Sequence, residues 1–462
     1  MFGRKDELAY LNELYESNTF EFLIMYGRRR VGKTTILQEF AMNTNAIIFP
    51  AREKNDSLNL EDFSKAIQFH FDHSFIASFK SWEDAFEYIG HKVTDRPAII
   101  IDEFPYIIEE NPSVKSLLQH AIDHNFESKN IFLILCGSSI SIMENEIMGR
   151  KSPLHDRQTA TLEIKPFNYL ESSAFFSNYS NLDKILAYGI LGGIPRYLEA
   201  FDPSKTIEEN IASKIIRNGA YLYEEPDNLL KAELRDTNTY NSILSAISSG
   251  RNRIVDIAAY IHEDRTKVAK YLTILQTLRL VEKRVPCGES PKSKKSIYVI
   301  KDNFLKFWFR YEFTNNTYYS ILGPKDAANE IMNDISNFMG DAFEEICKEY
   351  VIRQAEKRKL PFIPFYIGKW WGTNPFLKAQ DDVDVLVLDR TQTKAIFIEC
   401  KFTSNPMPLE EYTDLLNATK AFPKVKEKYL YFISKSGFTE PVKKQADLDH
   451  AMLLSIDDLF KD

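Results

Sequence analysis

From residue 20 to about residue 200, short unbroken apolar runs alternate with longer segments of mixed polarity. The apolar runs are Phe20–Tyr26, Ala46–Pro50, Pro97–Asp102 and Ile131–Cys136, and Thr34–Asn43 is the first of the intervening helical segments. Strands that are buried on both faces of a sheet show such continuous runs. The alternation therefore predicts an α/β fold, in which helices cover both faces of a parallel sheet.

The middle of the chain has a different pattern, which is first purely helical and then mixed. Two amphipathic segments, Ile254–Ile261 and Thr266–Leu278, are joined by a short turn and followed by two strand-like runs, Leu280–Arg284 and Ser296–Ile300. Two helices, a turn and a hairpin in this order are typical of a winged helix-turn-helix. From Phe338 onward the pattern returns to mixed α/β.

A glycine-rich loop follows the first apolar run directly. It consists of Gly27, Arg28, Arg29, Arg30, Val31, Gly32, Lys33, Thr34 and Thr35. The pattern G-x-x-x-x-G-K-T is specific when it lies between a strand and a helix, because the backbone N–H groups can then cradle phosphate oxygens. Lys33 is expected to reach the β- and γ-phosphates, and the Thr34 hydroxyl to bind Mg²⁺. The loop therefore predicts an ATP site.

The next two strands supply candidates for the second half of that site. The third apolar run ends in Asp102, expected to hold Mg²⁺ through water, and Glu103, expected to be the general base for the attacking water. The fourth run is followed by Ser138, which either lies beside the γ-phosphate or caps a helix, two compatible interpretations. Arg150 and Arg157 follow a predicted helix; Arg150 is the favoured arginine finger, with an ordinary surface arginine as the alternative.

Carboxylates and a lysine recur near the C-terminus in a second pattern. Glu344 lies in a helical segment, Asp384 in an apolar run, and Glu399 and Lys401 in the sequence Ile-Glu-Cys-Lys. The D…E-x-K arrangement resembles the PD-(D/E)XK nuclease superfamily. That resemblance implies that Asp384 and Glu399 hold Mg²⁺ near a scissile phosphate, that Glu344 completes the metal shell, and that Lys401 positions and activates the water.

Strand geometry sets a condition on this pattern. Glu399 and Lys401 are two residues apart and therefore share one face of their strand. A hairpin loop of two or four residues near Thr391–Gln392 places Asp384 opposite Glu399, whereas an odd loop turns Asp384 to the other face. There are two alternatives to an active nuclease site. The charges are the ends of ordinary strands, or the domain is nuclease-like but has lost the ability to cleave.

Charge separates the middle of the chain from the rest. The net charge of -8 argues against a uniformly basic surface that binds nucleic acid. Between Arg251 and Lys301, however, twelve Lys or Arg residues face five Asp or Glu residues, a local charge of +7. This excess favours DNA contact over internal packing of the winged helix. The candidate contacts are Arg265, Lys267, Lys270, Lys292, Lys294 and Lys295.

Cysteine usage and hydropathy indicate the compartment. The four cysteines are far apart, with neither zinc-site spacing nor a disulfide framework. The N-terminus lacks the apolar core of a signal peptide, and no stretch approaches the length of a membrane span. We expect a cytoplasmic protein with no membrane partner.

Several motifs together resemble the archaeal-type ATPase family of the AAA+/STAND group of P-loop ATPases. They are Phe2–Leu8, the glycine-rich loop, Ile99–Phe104, Cys136–Ser139 and Gly192–Arg196. The resemblance implies that Gly3 and Arg4 lie near the adenine. It also implies that Pro195 and Arg196, in a helical lid, face the nucleotide.

The sequence thus predicts an α/β chain of five parts. They are a P-loop ATPase core (1–170), a helical lid (171–235), a winged helix-turn-helix (236–312), a connector (313–337) and a mixed α/β restriction-endonuclease-like domain (338–462). We expect ATP hydrolysis with Mg²⁺, coupled to DNA binding or processing, and a Mg-dependent nuclease domain. The alternative is a nucleotide-gated signalling switch that acts through protein contacts and whose nuclease-like domain is inert. A metabolic kinase is less favoured, because no acceptor pocket follows the P-loop. An arginine finger in trans would require a homo-oligomer.

Overall fold

The computed structural model describes residues 3–234 and 236–461. Phe2 of the opening motif and the predicted domain ends at residues 1, 235 and 462 lie outside the described residues. The chain divides between Pro166 and Phe167 into two compact units.

The first unit is built on a five-stranded parallel sheet with the strand order β2-β3-β4-β1-β5. Its strands are β1 (Glu21–Tyr26), β2 (Ala46–Pro50), β3 (Ala98–Asp102), β4 (Phe132–Gly137) and β5 (Ala160–Glu163). The four apolar runs form β1 to β4, which confirms the predicted parallel sheet. The sequence pattern missed β5, because this edge strand has four residues and is buried only at Ala160.

Helices cover both faces of this sheet. They are α1 (Lys5–Glu16), α2 (Lys33–Met42), α3 (Asp56–Asp72), α4 (Trp82–Lys92), α5 (Pro105–Glu110), α6 (Val114–Ala121) and α7 (Ile140–Ile142). Successive side chains of a strand point to opposite faces. Phe22 and Ile24 accordingly join a core that includes Phe63 of α3, whereas Leu23 joins a separate core that includes Ile36 of α2.

The second unit begins with helices. They are α8 (Tyr169–Ser173), α9 (Asn181–Leu191), α10 (Pro195–Leu198), α11 (Ile207–Asn210), α12 (Tyr221–Glu233), α13 (Asn238–Ser248), α14 (Ile254–Tyr260) and α15 (Arg265–Thr277). A two-stranded antiparallel hairpin follows, formed by β6 (Val281–Arg284) and β7 (Ile297–Ile300).

Two long helices connect this hairpin to the C-terminal sheet. Helix α16 spans Asn303–Leu322, and α17 spans Pro324–Glu356, so they run across the predicted domain limits at 312 and 337. The break between them lies at Gly323, whose φ of 87° ends α16, while Pro324 suits the first turn of α17. No helix among the described residues is long and apolar enough to cross a bilayer.

The C-terminal sheet is mixed and has the strand order β12-β11-β10-β9-β8. Its strands are β8 (Tyr366–Asn374), β9 (Ala379–Leu388), β10 (Lys394–Lys401), β11 (Glu427–Ser434) and β12 (Met452–Ser455). The helices that follow α17 are α18 (Leu409–Ala418), α19 (Glu440–Asp449) and α20 (Ile456–Leu459). Strands β8, β9 and β10 pair antiparallel, and β10, β11 and β12 pair parallel, which confirms the predicted mixed α/β arrangement.

Candidate nucleotide site and carboxylate cluster

The glycine-rich loop joins β1 to α2, and two of its residues must be glycine. A Cβ atom on Gly27 would lie 2.3 Å from the carbonyl oxygen of Ile164. Gly32 precedes α2 with a φ of 94°, a conformation that disfavours a side chain. Both glycines therefore allow the backbone to turn tightly from the strand into the helix.

Lys33 points its ammonium group back into this loop. Its Nζ atom donates hydrogen bonds to the carbonyl oxygens of Gly27 (2.8 Å) and Arg28 (3.0 Å). Burial lowers the pKa of Lys33. The positive charge thus lies within the loop that the sequence predicts to cradle phosphates.

The strand order brings the other candidates to the same edge of the sheet, because β4 lies between β1 and β3. The Thr34 hydroxyl donates to Asp102 Oδ2 at 2.7 Å, and Asp102 is buried. Glu103 has a φ of 54°, a left-handed conformation that non-glycine residues adopt mainly at constrained sites. The structure therefore unites Thr34, Asp102 and Glu103 at the carboxyl ends of neighbouring strands.

Ser138 has a contact that neither sequence interpretation anticipated. Both its backbone N–H (3.1 Å) and its hydroxyl (2.9 Å) donate to Glu103 Oε2. The residue that precedes α7 is Ser139, so Ser138 does not cap that helix. In this structure Ser138 orients the carboxylate of Glu103.

Arg4 fixes the start of α1 to the glycine-rich loop. Its Nη2 atom donates to the carbonyl oxygens of Val31 (2.8 Å) and Lys165 (2.9 Å), and its Nη1 atom contacts Glu7 at 2.8 Å. The guanidinium group is buried. Arg4 and the preceding Gly3 are thus held near the loop, and their contact with adenine stays a prediction.

The two arginine-finger candidates differ in their surroundings. Arg157 makes a two-pronged ion pair with Asp123, at 2.7 and 2.9 Å, and is therefore committed to a structural contact. Arg150 is exposed. Of the other loop residues, Arg28 and Val31 are buried, Arg29 is half-buried, and Arg30, Thr34 and Thr35 are exposed.

Pro195 and Arg196 lie in the second unit, where Pro195 begins α10. The Arg196 guanidinium lies 5.0 Å from the ring centroid of Tyr221 and 3.6 Å from Glu199. Arg196 also lines an open cavity of about 630 Å³ together with Lys214 and Arg217. The predicted contact of Pro195 and Arg196 with nucleotide stays a prediction.

The second group of candidates converges on β9 and β10. These strands pair Ile398 with Val385, so the same register sets Glu399 opposite Asp384. The Asp389 N–H donates to the Lys394 carbonyl, which leaves the four residues 390–393 as the turn. This is one of the two even loop lengths that the condition on Asp384 required. The Cys400 N–H also donates to Asp384 Oδ2 at 2.9 Å.

Glu344 on α17 joins these acids through a lysine that the sequence analysis missed. Lys369 Nζ on β8 lies 2.7 Å from Glu344, 3.3 Å from Asp382 and 3.4 Å from Asp384. Burial lowers the pKa of Lys369, but Glu344 and Asp384 outweigh it and raise the pKa well above its ordinary value. We call Glu344, Lys369, Asp384, Glu399 and Lys401 the carboxylate–lysine cluster.

Lys401 forms the other half of this cluster. Its Nζ atom lies 2.7 Å from Glu399 and 2.9 Å from Glu411, a second residue that sequence reasoning missed. Burial and the neighbouring Asp384 raise the pKa of Glu399 to about 8, and the same two causes raise the pKa of Glu344. The cluster therefore concentrates acidic groups in a desolvated place, which is characteristic of functional sites.

A divalent cation does not fit this arrangement directly. Within 3–234 and 236–461, no group of three or more His, Cys, Asp and Glu side chains is placed to hold a metal ion. Carboxylate oxygens suit Mg²⁺ chemically. The Lys369 ammonium group, however, lies between the carboxylates of Glu344 and Asp384, where such an ion would bind.

Comparison with known proteins identifies the chain. A model of an ATPase domain found predominantly in Archaea matches residues 1–201. A protein of Methanocaldococcus jannaschii, itself uncharacterized, is 34% identical over 399 residues, which are 86% of this chain and 87% of that protein. The chain belongs to this archaeal ATPase family. Residues 308–413 of the ATPase match a second model, which describes archaeal and bacterial proteins of unknown function.

Two further relatives agree with this assignment. An uncharacterized ATP-binding protein of the same organism is 45% identical to the ATPase over 41 residues, which are 9% of this chain and 70% of that protein. The Walker-type ATPase of Pyrococcus abyssi aligns with a TM-score of 0.53 at 19% identity, over 67% of this chain and 96% of that one. At this identity the second likeness shows the fold alone. The family makes the protein an ATPase, and its fold agrees with that of a Walker-type ATPase.

Proposed function

We propose that this ATPase couples ATP hydrolysis to the binding and processing of DNA, and that its C-terminal region is a nuclease of the PD-(D/E)XK type. The observation that carries the proposal is the convergence of Glu344, Asp384, Glu399 and Lys401 on one place, in a chain that also has a P-loop. Burial of a charged carboxylate costs folding free energy, so such groups usually have a role. These acids lie within strands and a helix whose buried positions are mostly apolar.

The nucleotide site supports hydrolysis by its own residues. The Thr34 hydroxyl donates to Asp102 at 2.7 Å, so the two residues would hold Mg²⁺ together, Thr34 directly and Asp102 through water. Mg²⁺ supplies neutralisation of the phosphate charge when it is bound. Glu103, oriented by Ser138, would accept the proton of the attacking water as its oxygen bonds to the γ-phosphorus. The bond from that phosphorus to the β–γ bridging oxygen breaks, which releases ADP and phosphate.

The carboxylate–lysine cluster supports hydrolysis of a phosphodiester. Burial lowers the pKa of Lys401, but Glu399 and Glu411 outweigh it and raise the pKa, so Lys401 remains an ammonium group. It would hold the attacking water and a phosphate oxygen by donating hydrogen bonds. The water oxygen bonds to phosphorus while a carboxylate of the cluster takes one water proton. The bond from phosphorus to one sugar oxygen breaks, and that oxygen takes a proton from solvent and leaves as a hydroxyl group.

The middle of the chain supports DNA contact. Helices α14 and α15 with the β6–β7 hairpin are consistent with a winged helix-turn-helix, in which α15 would be the recognition helix. The six basic side chains that are candidates for this contact are all exposed: Arg265, Lys267, Lys270, Lys292, Lys294 and Lys295. Two of them also have acidic partners, since Lys267 pairs with Glu263 and Lys295 pairs with Glu289.

The deciding experiment is cleavage of plasmid and linear DNA by the full chain with Mg²⁺ or Mn²⁺, with and without ATP. We expect cleavage by the wild type, and its loss in Glu399→Ala and Lys401→Ala. Glu427→Ala is the matched control, because Glu427 pairs with Lys394 on neighbouring strands outside the cluster. Cleavage that survives in Glu399→Ala would refute the assignment of this site.

The second candidate function is a nucleotide-gated signalling switch whose nuclease-like domain is inert. The observation that favours it is the pairing of Lys369 with three carboxylates, which leaves the cluster closed by an internal cation. This candidate predicts that ATP and ADP change the susceptibility of the full chain to limited proteolysis, while DNA binding and cleavage are both undetectable. DNA cleavage that depends on Glu399 would rule it out.

A further inference from the structure

Lys369 lies opposite an irregularity in the sheet. Strand β8 pairs Gly368 with Leu386 and then Trp370 with Val383, so two residues of β9 face Lys369. Such a β-bulge disturbs the regular alternation and re-aims side chains. The Lys369 ammonium group contacts Glu344 of α17 and Asp384, which is one of the two residues of β9 at the bulge.

A segment outside the sheet contacts β8 at the residues that face the bulge. The loop between β6 and β7, residues 285–296, lies along β8. The Cys287 N–H donates to the Lys369 carbonyl at 2.9 Å, the Trp371 indole N–H donates to the Lys295 carbonyl at 3.1 Å, and Gln392 Nε2 donates to the Gly288 carbonyl at 3.3 Å. The backbone that carries Lys369 is thus bound directly to the hairpin loop.

We propose that Lys369 is a built-in cation that excludes a divalent metal ion from the carboxylate–lysine cluster, and that the loop 285–296 holds it there. A metal ion and an ammonium group cannot occupy the same space between Glu344 and Asp384, and their like charges repel at this distance. The cluster admits a metal ion when Lys369 withdraws, and release of β8 by the loop favours that withdrawal. This inference rests on the proposed metal-dependent role of the cluster and adds its regulation.

The test is Mn²⁺ binding to the full chain without nucleotide, measured from the electron paramagnetic resonance signal of free Mn²⁺. We expect Lys369→Met to bind Mn²⁺ at least about tenfold more tightly than the wild type, because one repelling charge is removed. Lys369→Gln is the second variant, in case the apolar side chain disturbs folding, and a thermal melt checks both. Asp384→Asn added to Lys369→Met should abolish the gain, which assigns the bound ion to the cluster.

Lys394→Met is the matched control, because Lys394 is also a strand lysine, and its ion pair with Glu427, at 3.0 Å, lies outside the cluster. Its Mn²⁺ affinity should equal that of the wild type. Unchanged affinity in both folded Lys369 variants overturns the inference. If Mn²⁺ binds more tightly in an Asp384-dependent way but no variant cleaves DNA, the role of Lys369 is supported and the nuclease proposal is contradicted. Failure of this inference and failure of the nuclease proposal therefore give different results.

The loop is tested separately by Trp371→Phe, which keeps an aromatic ring and removes the hydrogen bond to the Lys295 carbonyl. We expect Mn²⁺ to bind a few-fold more tightly than in the wild type, and less tightly than in Lys369→Met, because the other loop contacts remain. An affinity equal to that of the wild type overturns the proposed role of the loop in holding Lys369.

Discussion

At the scale of single residues, the nucleotide site depends on how Glu103 is held. Its left-handed backbone turns the carboxylate toward the end of β4, where Ser138 donates two hydrogen bonds to one oxygen. Asp102, one residue earlier, instead accepts from Thr34. Two adjacent acids therefore have separate partners, which agrees with the separate roles that we propose for them in metal binding and proton transfer.

Glu103→Gln should bind ATP and fail to hydrolyse it. The amide cannot accept the proton of the attacking water, and the loss of a general base typically lowers turnover by roughly 10² to 10⁴. Nucleotide binding and phosphate release, measured on the same sample, separate the two effects. Glu110→Gln, at an exposed position in α5, is the control. Normal phosphate release from Glu103→Gln would mean that another group is the base.

Ser138→Ala should lower the turnover of ATP by about tenfold while leaving KM nearly unchanged. The variant loses the hydroxyl contact with Glu103 but keeps the backbone N–H contact, so the base is less well oriented and still present. Steady-state kinetics measure both quantities. A large rise in KM with unchanged kcat would indicate direct contact between Ser138 and the nucleotide instead.

At the scale of elements, α17 brings three acids to three different partners. Glu344 contacts Lys369 of β8, Glu345 contacts Arg284 of β6 at 2.6 Å, and Glu349 contacts residues near the start of the second unit. One uninterrupted helix therefore links the C-terminal sheet, the β6–β7 hairpin and the preceding helices. A shift of α17 along its axis would change all three contacts together.

Glu349 makes the stability of this unit depend on pH. Its carboxylate accepts hydrogen bonds from the Tyr188 hydroxyl (2.7 Å) and the Tyr169 N–H (3.1 Å). Burial raises the pKa of Glu349 from its ordinary value of 4.5 to about 7. The contribution of this group to stability is therefore fully present below pH 4.5 and is lost as pH rises through about 7.

Glu349→Gln should therefore raise the Tm at pH 8, by about 2–4 °C for each kcal/mol that the variant adds to the free energy of unfolding. This gain should vanish toward pH 5. The amide is neutral at both values and can still accept one of the two hydrogen bonds. Differential scanning calorimetry at both pH values measures the difference. Glu356→Gln, at an exposed position on the same helix, should show no such dependence. A gain independent of pH would contradict the raised pKa.

At the scale of the whole molecule, a chain of net charge -8 has a basic segment that the proposal assigns to DNA. Contacts with phosphates release counterions, so the affinity should fall steeply with salt. Lys292→Ala combined with Lys294→Ala should weaken binding and reduce the slope of log K against log salt by roughly 1.8, if each lysine neutralises one phosphate. Fluorescence anisotropy with duplex DNA at several salt concentrations measures this slope.

The control for this experiment is Lys443→Ala combined with Lys444→Ala, which removes two exposed charges from α19. Its slope should match that of the wild type. A slope that falls equally in both double variants would indicate a general charge effect rather than contact by the β6–β7 loop.

The sequence by itself determined those features that depend on neighbours along the chain. Continuous apolar runs specify β1 to β4, because a strand buried on both faces tolerates no alternation. Gly27 and Gly32 specify the turn into α2, because a Cβ atom at the first would clash and the second needs a positive φ. For Asp384 and Glu399 the sequence set only a condition, an even turn between β9 and β10, because side chains alternate with a period of two.

Only the tertiary structure decided which distant charges and polar groups meet. The insertion of β4 between β1 and β3 sets Ser138 beside Glu103, and the pairing of β8 with β9 at a bulge in β9 sets Lys369 beside Asp384. The sequence around a charged strand residue does not indicate which residue will be its partner. Strand order and the packing of α17 determine which charges meet. For the same physical reason, the sequence pointed to a metal site in the cluster, where the structure has a lysine.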